Sequence, residues 1–311
     1  MKLLKLVPDN TNVDFMKWRN VALVLSILVT AASIALTAYR GLNLGIDFVG
    51  GQVIRATFAK PVSIEDLRDQ VESLNVGEAS IQEFGDNRTF QIRLPRPEGP
   101  EAAANQVVTA VRGMIVQQFP GAKVTAGESV SGKVSGELAW DGALAITFAM
   151  IGIAIYIWFR FEWQFGVGAL ITLFHDVAMV LGFFSVTQLQ VDLNIVAAFL
   201  AIVGYSLNDT VVIYDRIREN LRRYKSLPLP ELVDLSINQT LARTIMTSMT
   251  TLLALIALVV FGGPVIRDFT IAMIWGVVIG CYSTVYVASP MILHFHLRRE
   301  TLAPAAEAPK G

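Results

Sequence analysis

The chain has 311 residues, of which 53% are hydrophobic and 16% charged, against roughly 25% charged in a soluble globular protein. That deficit points to a membrane, and a formal net charge of -1 excludes a nucleic-acid binder driven by bulk positive charge. The single cysteine, Cys281, excludes a disulfide framework and a cysteine-rich zinc site.

Six stretches approach the roughly 20 apolar residues that a bilayer-spanning helix needs. After an amino-terminal segment 1–19, Asn20 to Tyr39 is the first. Its apolar run is too long for a signal peptide and no small-x-small cleavage site follows it, so it reads as an uncleaved anchor. Of the 51 charged residues, 23 lie between Arg40 and Asp141, which marks residues 40–141 as a water-soluble insert with linkers. Membrane segments resume over 142–297. Gly142 to Phe159 and Trp163 to about Thr187 form a hairpin across Arg160-Phe161-Glu162, and Leu193 to about Tyr214 follows. Thr244 to Ile266 and Phe269 to Leu297 are separated by Gly262-Gly263-Pro264. Residues 298–311, rich in Ala and Pro, read as a disordered tail.

Orientation follows from the short loops. Lys2, Lys5, Lys17 and Arg19, then Arg216, Arg218, Arg222, Arg223 and Lys225, then Arg298 and Arg299 all fall on one side of a six-span chain. The positive-inside rule makes that side cytoplasmic. The insert is then outside, and both termini are inside.

Within the insert the apolar period switches in order. Gln52–Phe58 reads as a strand, Ser63–Leu74 as a capped helix, Ala79–Phe84 and Thr89–Leu94 as a hairpin around Gly85-Asp86-Asn87. Glu101–Phe119 reads as a second helix and Lys123–Val130 as a last strand. Strand, helix, strand, strand, helix, strand is the split βαβ, ferredoxin-like α+β pattern. No His or Cys and no catalytic cluster falls in it, so a binding or mechanical module is expected. Gly127 to Lys133 imitates a phosphate-binding loop, but Val134 stands where Ser or Thr must hold Mg²⁺. A flexible Gly/Ser linker from Gly127 to Gly136 is expected there instead.

Polar residues inside spans are costly and therefore functional candidates. Asn208-Asp209-Thr210 interrupts the fourth span, and Arg243, Thr247 and Thr250 share a face of the fifth. Counted from the cytoplasmic boundary, Asp209 and Arg243 fall at similar depth and can pair, either as a proton relay or as a lock between helices. His175-Asp176 in the third span invites the same two readings. Asp268 reads as a helix N-terminal residue, and Asp47, in Gly45-Ile-Asp47-Phe-Val-Gly50-Gly51, as a turn former.

These residues carry a resemblance. Leu44 to Gly51, Gly204 to Asn220 and Asn238 to Ser248 resemble the SecD/SecF family of bacterial protein-export membrane subunits, within the resistance-nodulation-division superfamily. Departures, Val49 for Thr, Leu207 for Val and Ala242 for Ser, touch no titratable group. The resemblance implies one six-helix unit of a fold that needs two, with SecD supplying the second, in the bacterial inner membrane. It implies work beside the SecY-E-G channel and YajC, with preprotein on the outer side and membrane lipids around, driven by a proton gradient without a cofactor or metal and without enzymatic chemistry. Asp209 and Arg243 become the implied proton-conducting positions, Asn208, Thr247, His175 and Asp176 supporting groups, and Gly45, Asp47, Gly50 and Gly51 a hinge motif. A proton-coupled exporter of small molecules or lipids and a non-conducting scaffold are the competing readings.

Overall fold

The computed structural model describes residues 8, 11–74, 76, 79–95 and 101–295. The expected tail at 298–311, with Lys2, Lys5, Arg298 and Arg299, lies outside the described residues.

Among the described residues, six helical segments are long and apolar enough to cross a membrane. A 3₁₀ turn, Phe15–Trp18, leads into α1 (Arg19–Arg40). After the one-turn α2 (Ile46–Val49) and the insert come α5 (Gly132–Arg160), α6 (Trp163–Thr187), α7 (Leu193–Arg223) and α8 (Leu229–Phe261). The last crossing is α9 (Arg267–Ser283), a π-helical turn (Thr284–Ala288) and α10 (Ser289–His294).

Two boundaries differ from expectation. Helix α5 begins at Gly132, with Ser131 as N-cap accepting from Val134 N–H at 3.3 Å. Its first turns are therefore helix where a flexible Gly/Ser linker was expected, because the capping serine offsets the weak propensity of the glycines. The other half of that expected linker, up to Val130, is strand.

The second difference is the stretch between the fourth and fifth spans, which is helical on both sides of a short turn. Hydropathy marks only the part of a helix in lipid, but α7 and α8 continue past it by burying Ile213, Ile217 and Leu221 against Leu232, Val233 and Ile237. Spacings of four on α7, and of one and four on α8, keep each set on one helix face. Tyr214, Phe161 and Phe165 complete this core at the α7–α8 turn end of the bundle. Pro230, in the first turn of α8, sits where a helix tolerates proline. The amino-terminal segment closes on α8 through Met16 N–H to Asp234 at 2.9 Å and a two-way bond between Val13 and Asn238.

The insert follows its expected element order: β1 (Gly51–Thr57), α3 (Ile64–Glu72), β2 (Ser80–Phe84), β3 (Asp86–Leu94), α4 (Glu101–Gln118), β4 (Lys123–Val130). They form a four-stranded antiparallel sheet in the order β2-β3-β1-β4. Ile54, Ala56, Phe90, Ile92 and Leu94 point to one face and meet Leu67 and Val71 of α3 and Val111 and Ile115 of α4. Each such buried side chain contributes about 1.5–3 kcal/mol relative to exposure. The hairpin turns at Gly85, whose φ of 89° suits only a residue without Cβ, and Asp86 accepts from the N–H groups of Arg88 and Thr89.

The opposite face of the sheet is polar. Gln82, Gln91 and Arg55 stand on one rung across β2, β3 and β1. This face overlies the C-terminal end of α6 and the N-terminal ends of α7 and α9, leaving a cavity of about 390 Å³ bounded by Gln91, Gln190, Asp192 and Asp268.

Candidate functional site

Three membrane helices meet at Asp176. It sits on α6, fully buried, and His175 Nδ1 lies 2.9 Å from its Oδ1. Its Oδ2 accepts from Ser206 of α7 at 2.5 Å and from Ser283 of α9 at 2.9 Å. Both carboxylate oxygens are thus satisfied by side chains, which is the condition for holding a charge away from water. The small residues around it let the backbones close: on Gly280 an added Cβ would lie 3.2 Å from Ser206 Cβ.

One turn further along α7, Asp209 is 3% exposed and its environment is the opposite. Its Oδ2 is buried without a hydrogen-bond partner in the protein, as is Thr244 Oγ1 on α8. Each of Asp209 and Arg243 lies 14 residues from the end of its helix at the α7–α8 turn, about 21 Å along each axis at ~1.5 Å per residue. The expected common depth therefore follows from two continuous antiparallel helices. Arg243 is the cation whose charge acts on Asp209, yet among the described residues the two form no direct ion pair. Arg243 stands on the exposed side of α8.

Below Asp209 the bundle is closed by hydroxyls. Thr210 Oγ1 and Thr284 Oγ1 are 3.1 Å apart, and Tyr214 donates to Ala288 O at 3.0 Å. Both partners belong to the π-helical turn, a feature that leaves backbone groups displaced from the regular ladder. A Cβ on Gly168 would lie 2.6 Å from Tyr214 Oη, so only glycine leaves room for that phenol. Beside this column Tyr205 donates to Ser248 of α8 at 3.2 Å, and Ser248 lies 2.9 Å from Cys281 Sγ.

The other anticipated groups separate. Asn208 is exposed on α7, pointing away from Asp209. Thr247 is half-buried and its hydroxyl returns to Thr244 O at 3.0 Å, with Thr251 in turn bonding Thr247 O. Ser206, Ser283 and Thr284 were not singled out in the sequence because small hydroxyls are common in membrane helices; the one available signal was Ser206, three residues before Asp209 on the same helix.

The glycine motif forms a packed joint at the insert end of the bundle. Asn43 to Asp47 is stitched to the α6–α7 loop by Val191 N–H to Asn43 O at 2.9 Å, Gly45 N–H to Val191 O at 2.7 Å, and Asn43 Nδ2 to Gln188 O at 2.8 Å. Asp47 Oδ2 accepts from Leu193 N–H at 3.0 Å, so Asp47 caps α7 from another element, beside Asp192, which accepts from Ile195 N–H. Burial pushes the Asp192 carboxyl up, opposed by that N–H and by Asn194. Arg93 of β3 reaches the joint with bonds of 2.5 Å to Leu44 O and 3.3 Å to Asn43 Oδ1. Gly50 and Gly51 have φ of 73° and 127°, and a Cβ on Gly51 would lie 2.6 Å from Leu94 O. The motif is therefore an α7-capping clasp between insert and bundle. Asp268 lies in the first turn of α9, the N-terminal position expected of it, and the Gln190 N–H binds its carboxylate. Among the described residues no group of three His, Cys, Asp or Glu is placed to hold a metal ion.

Residues 111–298 match the family described as protein export membrane protein SecD/SecF, C-terminal, and residues 40–62 match the SecD/SecF GG motif. The protein translocase subunit SecF of Rhodobacter capsulatus is 44% identical over 308 residues, covering 95% of this chain and 92% of the relative. That of Vibrio alginolyticus is 40% identical, covering 99% and 98%. The protein translocase subunit SecDF of Brucella abortus is 42% identical over 96% of this chain but only 39% of its own length. Among solved structures, the chain is similar to SecDF from Thermus thermophilus, a translocon-associated membrane protein, with a TM-score of 0.84 and 35% identity over 93% of this chain. A super-membrane-facing form of SecDF gives a TM-score of 0.69 and 34% identity over 94%. The chain spans about two fifths of those SecDF chains. With a family model over more than half its length and SecF relatives at 40–44% identity over more than nine tenths of both chains, this multi-pass membrane chain belongs to the SecD/SecF family of protein export membrane proteins.

Proposed function

We propose that this chain is a transport subunit, not a catalyst, which uses the proton gradient to promote preprotein passage through the Sec translocase of the bacterial inner membrane. It supplies one six-helix half, and SecD supplies the other; the fused SecDF relative joins both names in one chain. Its termini are cytoplasmic, and its ferredoxin-like insert works in the periplasm, beside the SecY-E-G channel and YajC. The exposed faces of α7 and α8 that carry Asn208 and Arg243 meet the partner half, so the proton path is completed between two chains.

The observation that carries this reading is the buried Asp209 oxygen with no partner in the protein. A carboxylate left unsatisfied in a dry site is driven to take a proton, and an approaching cation such as Arg243 favours its release. Arg243 itself keeps its proton. Alternation between these states changes what α7 must pack against, and the clasp at Asp47 and Arg93 joins the outer end of α7 to the insert. Titration of Asp209 is thereby linked to the position of the insert against the outer surface.

The test is Asp209→Asn in inverted membrane vesicles, which keeps shape and removes the titrating proton. Assembly with SecD should persist while the stimulation of export by an imposed proton gradient is lost. Export equal to wild type under that gradient would overturn the relay, and recovery of the native chain without SecD or SecY would favour a separate exporter.

A further inference from the structure

The cytoplasmic end of the bundle holds a second site that the proton path does not use. Helix α5 ends at Arg160, and a cavity of about 550 Å³ lies between it and the extended α7, lined by Arg160, Asp215, Arg218, Glu219, Arg222 and Arg223. The acids here are already engaged. Asp215 is held by both oxygens at 3.0 Å from Arg160 Nη2, Glu219 pairs with Arg216, and Glu162 pairs with Arg218. The Phe161 ring fixes Arg160 and Arg218 from one side, with guanidinium carbons 5.0 and 5.3 Å from its centroid. Arg222 and Arg223 have no carboxylate partner among the ion pairs of the described residues, and both are exposed. The cavity thus presents two uncompensated guanidinium groups on a scaffold already neutralised and fixed.

Its height in the membrane is marked by aromatic side chains. Trp158 and Phe159, immediately before Arg160, are 67% and 85% exposed, and Trp163 begins α6 at the same level. Exposed tryptophan at the end of a membrane helix sits at the headgroup layer, so a cavity beginning at the next residue opens onto phosphates. Guanidinium forks match phosphate oxygens in pairs.

We infer that this cavity binds the headgroup phosphate of an anionic phospholipid of the cytoplasmic leaflet, with Arg222 and Arg223 as the phosphate-binding groups and Trp158 and Phe159 against the acyl chains. Loop arginines in general orient a membrane protein; here the acids of the pocket are consumed by other cations and the aromatics abut it, which orientation alone does not require. The site holds the α5–α7 contact against the bilayer, and it stands whether or not Asp209 conducts protons.

Purified full-length protein in nanodiscs of phosphatidylcholine, titrated with phosphatidylglycerol and read by native mass spectrometry, tests it. Wild type should retain phosphatidylglycerol in preference to phosphatidylcholine. The double variant Arg222→Gln/Arg223→Gln should bind it roughly 30-fold more weakly, as expected from two cations at a membrane surface. Arg222→Lys/Arg223→Lys should keep most of the binding, which separates lost charge from a frayed helix end. Arg267→Gln, at the other end of the bundle, should change nothing. Equal phosphatidylglycerol retention by wild type and the glutamine variant overturns the site. Displacement of phosphatidylglycerol by inorganic phosphate at comparable concentration overturns the lipid assignment in favour of a free anion.

Discussion

Asp176 on α6 and Asp209 on α7 are both buried carboxylates in the same helix bundle, the first bonded to Ser206 one turn before the second, and they are built in opposite ways. Asp176 is enclosed by His175, Ser206 and Ser283, so each oxygen has a donor. Asp209 has a bare oxygen and a cation that acts without touching it. The two acids differ in the donors aimed at them and not in burial: Asp176 is held by side chains of its own and two neighbouring helices, while Asp209 Oδ2 has no partner in the protein.

The sharpest way to break the comparison is to remove each acid in turn. Asp176→Ala should destabilise the protein by about 2 kcal/mol: two interhelical contacts at ~0.6 kcal/mol each and the hydrogen bond with His175 within α6 at ~1 kcal/mol. Asp209→Asn should leave the unfolding midpoint almost unchanged. Thermal unfolding of both variants in the same detergent checks this, and a larger loss for the Asp209 variant would reverse the assignment. Next in size is Gly168→Ala, which drives a methyl into Tyr214 and should cost about 1.5 kcal/mol by overpacking. It should also weaken proton-stimulated export by disturbing the wall below Asp209, which a vesicle assay reads beside the unfolding curve.

A smaller effect is expected at the outer joint. Asp47→Ala removes one cap of α7 at a cost of about 1 kcal/mol, yet should uncouple export from the proton gradient more than that loss explains. Faster hydrogen exchange at Leu193, with assembly intact, is the accompanying sign. The smallest effect belongs to Asp86, a carboxylate satisfied in full contact with water. The Thr89 hydroxyl and the Arg88 N–H hold its carboxyl below the usual range, so its contribution is present at neutral pH and fades as pH falls through its folded value. Thermal unfolding of a fragment spanning 51–130 should show a small difference between wild type and Asp86→Ala at neutral pH that vanishes in acid.

The fold is more legible in the amino-acid pattern than the site is. The period of two in Gln52–Phe58 and the period near four in Ser63–Leu74 are local signals, and the insert's strands and helices fell almost where those signals put them. The extension of α7 and α8 beyond the bilayer was hidden because its apolar stripe is diluted by Arg216, Arg218 and Arg222. Asp209 was legible as a costly residue in an apolar run, but Asn208 beside it was not separable from it. Neighbours on a helix are about 100° apart, and which azimuth faces the core is set by the other helices. For the same reason Ser206 and Ser283 could not be seen as partners of Asp176: their meeting depends on how α7 and α9 cross α6.

The length of α7 places Asp209 near the middle of a rigid rod, 16 residues from Leu193 and 14 from Arg223. With Asp209 as fulcrum, a rotation of 5° about that point moves the outer end, some 24 Å away, by roughly 2 Å, and the inner end by nearly as much in the opposite sense. At one tip of this lever is the hydrogen bond from Leu193 to Asp47; at the other are Arg222 and Arg223. A disturbance too small to break any contact around Asp209 is thus enough to lengthen a 3.0 Å hydrogen bond beyond its working range at the far tip.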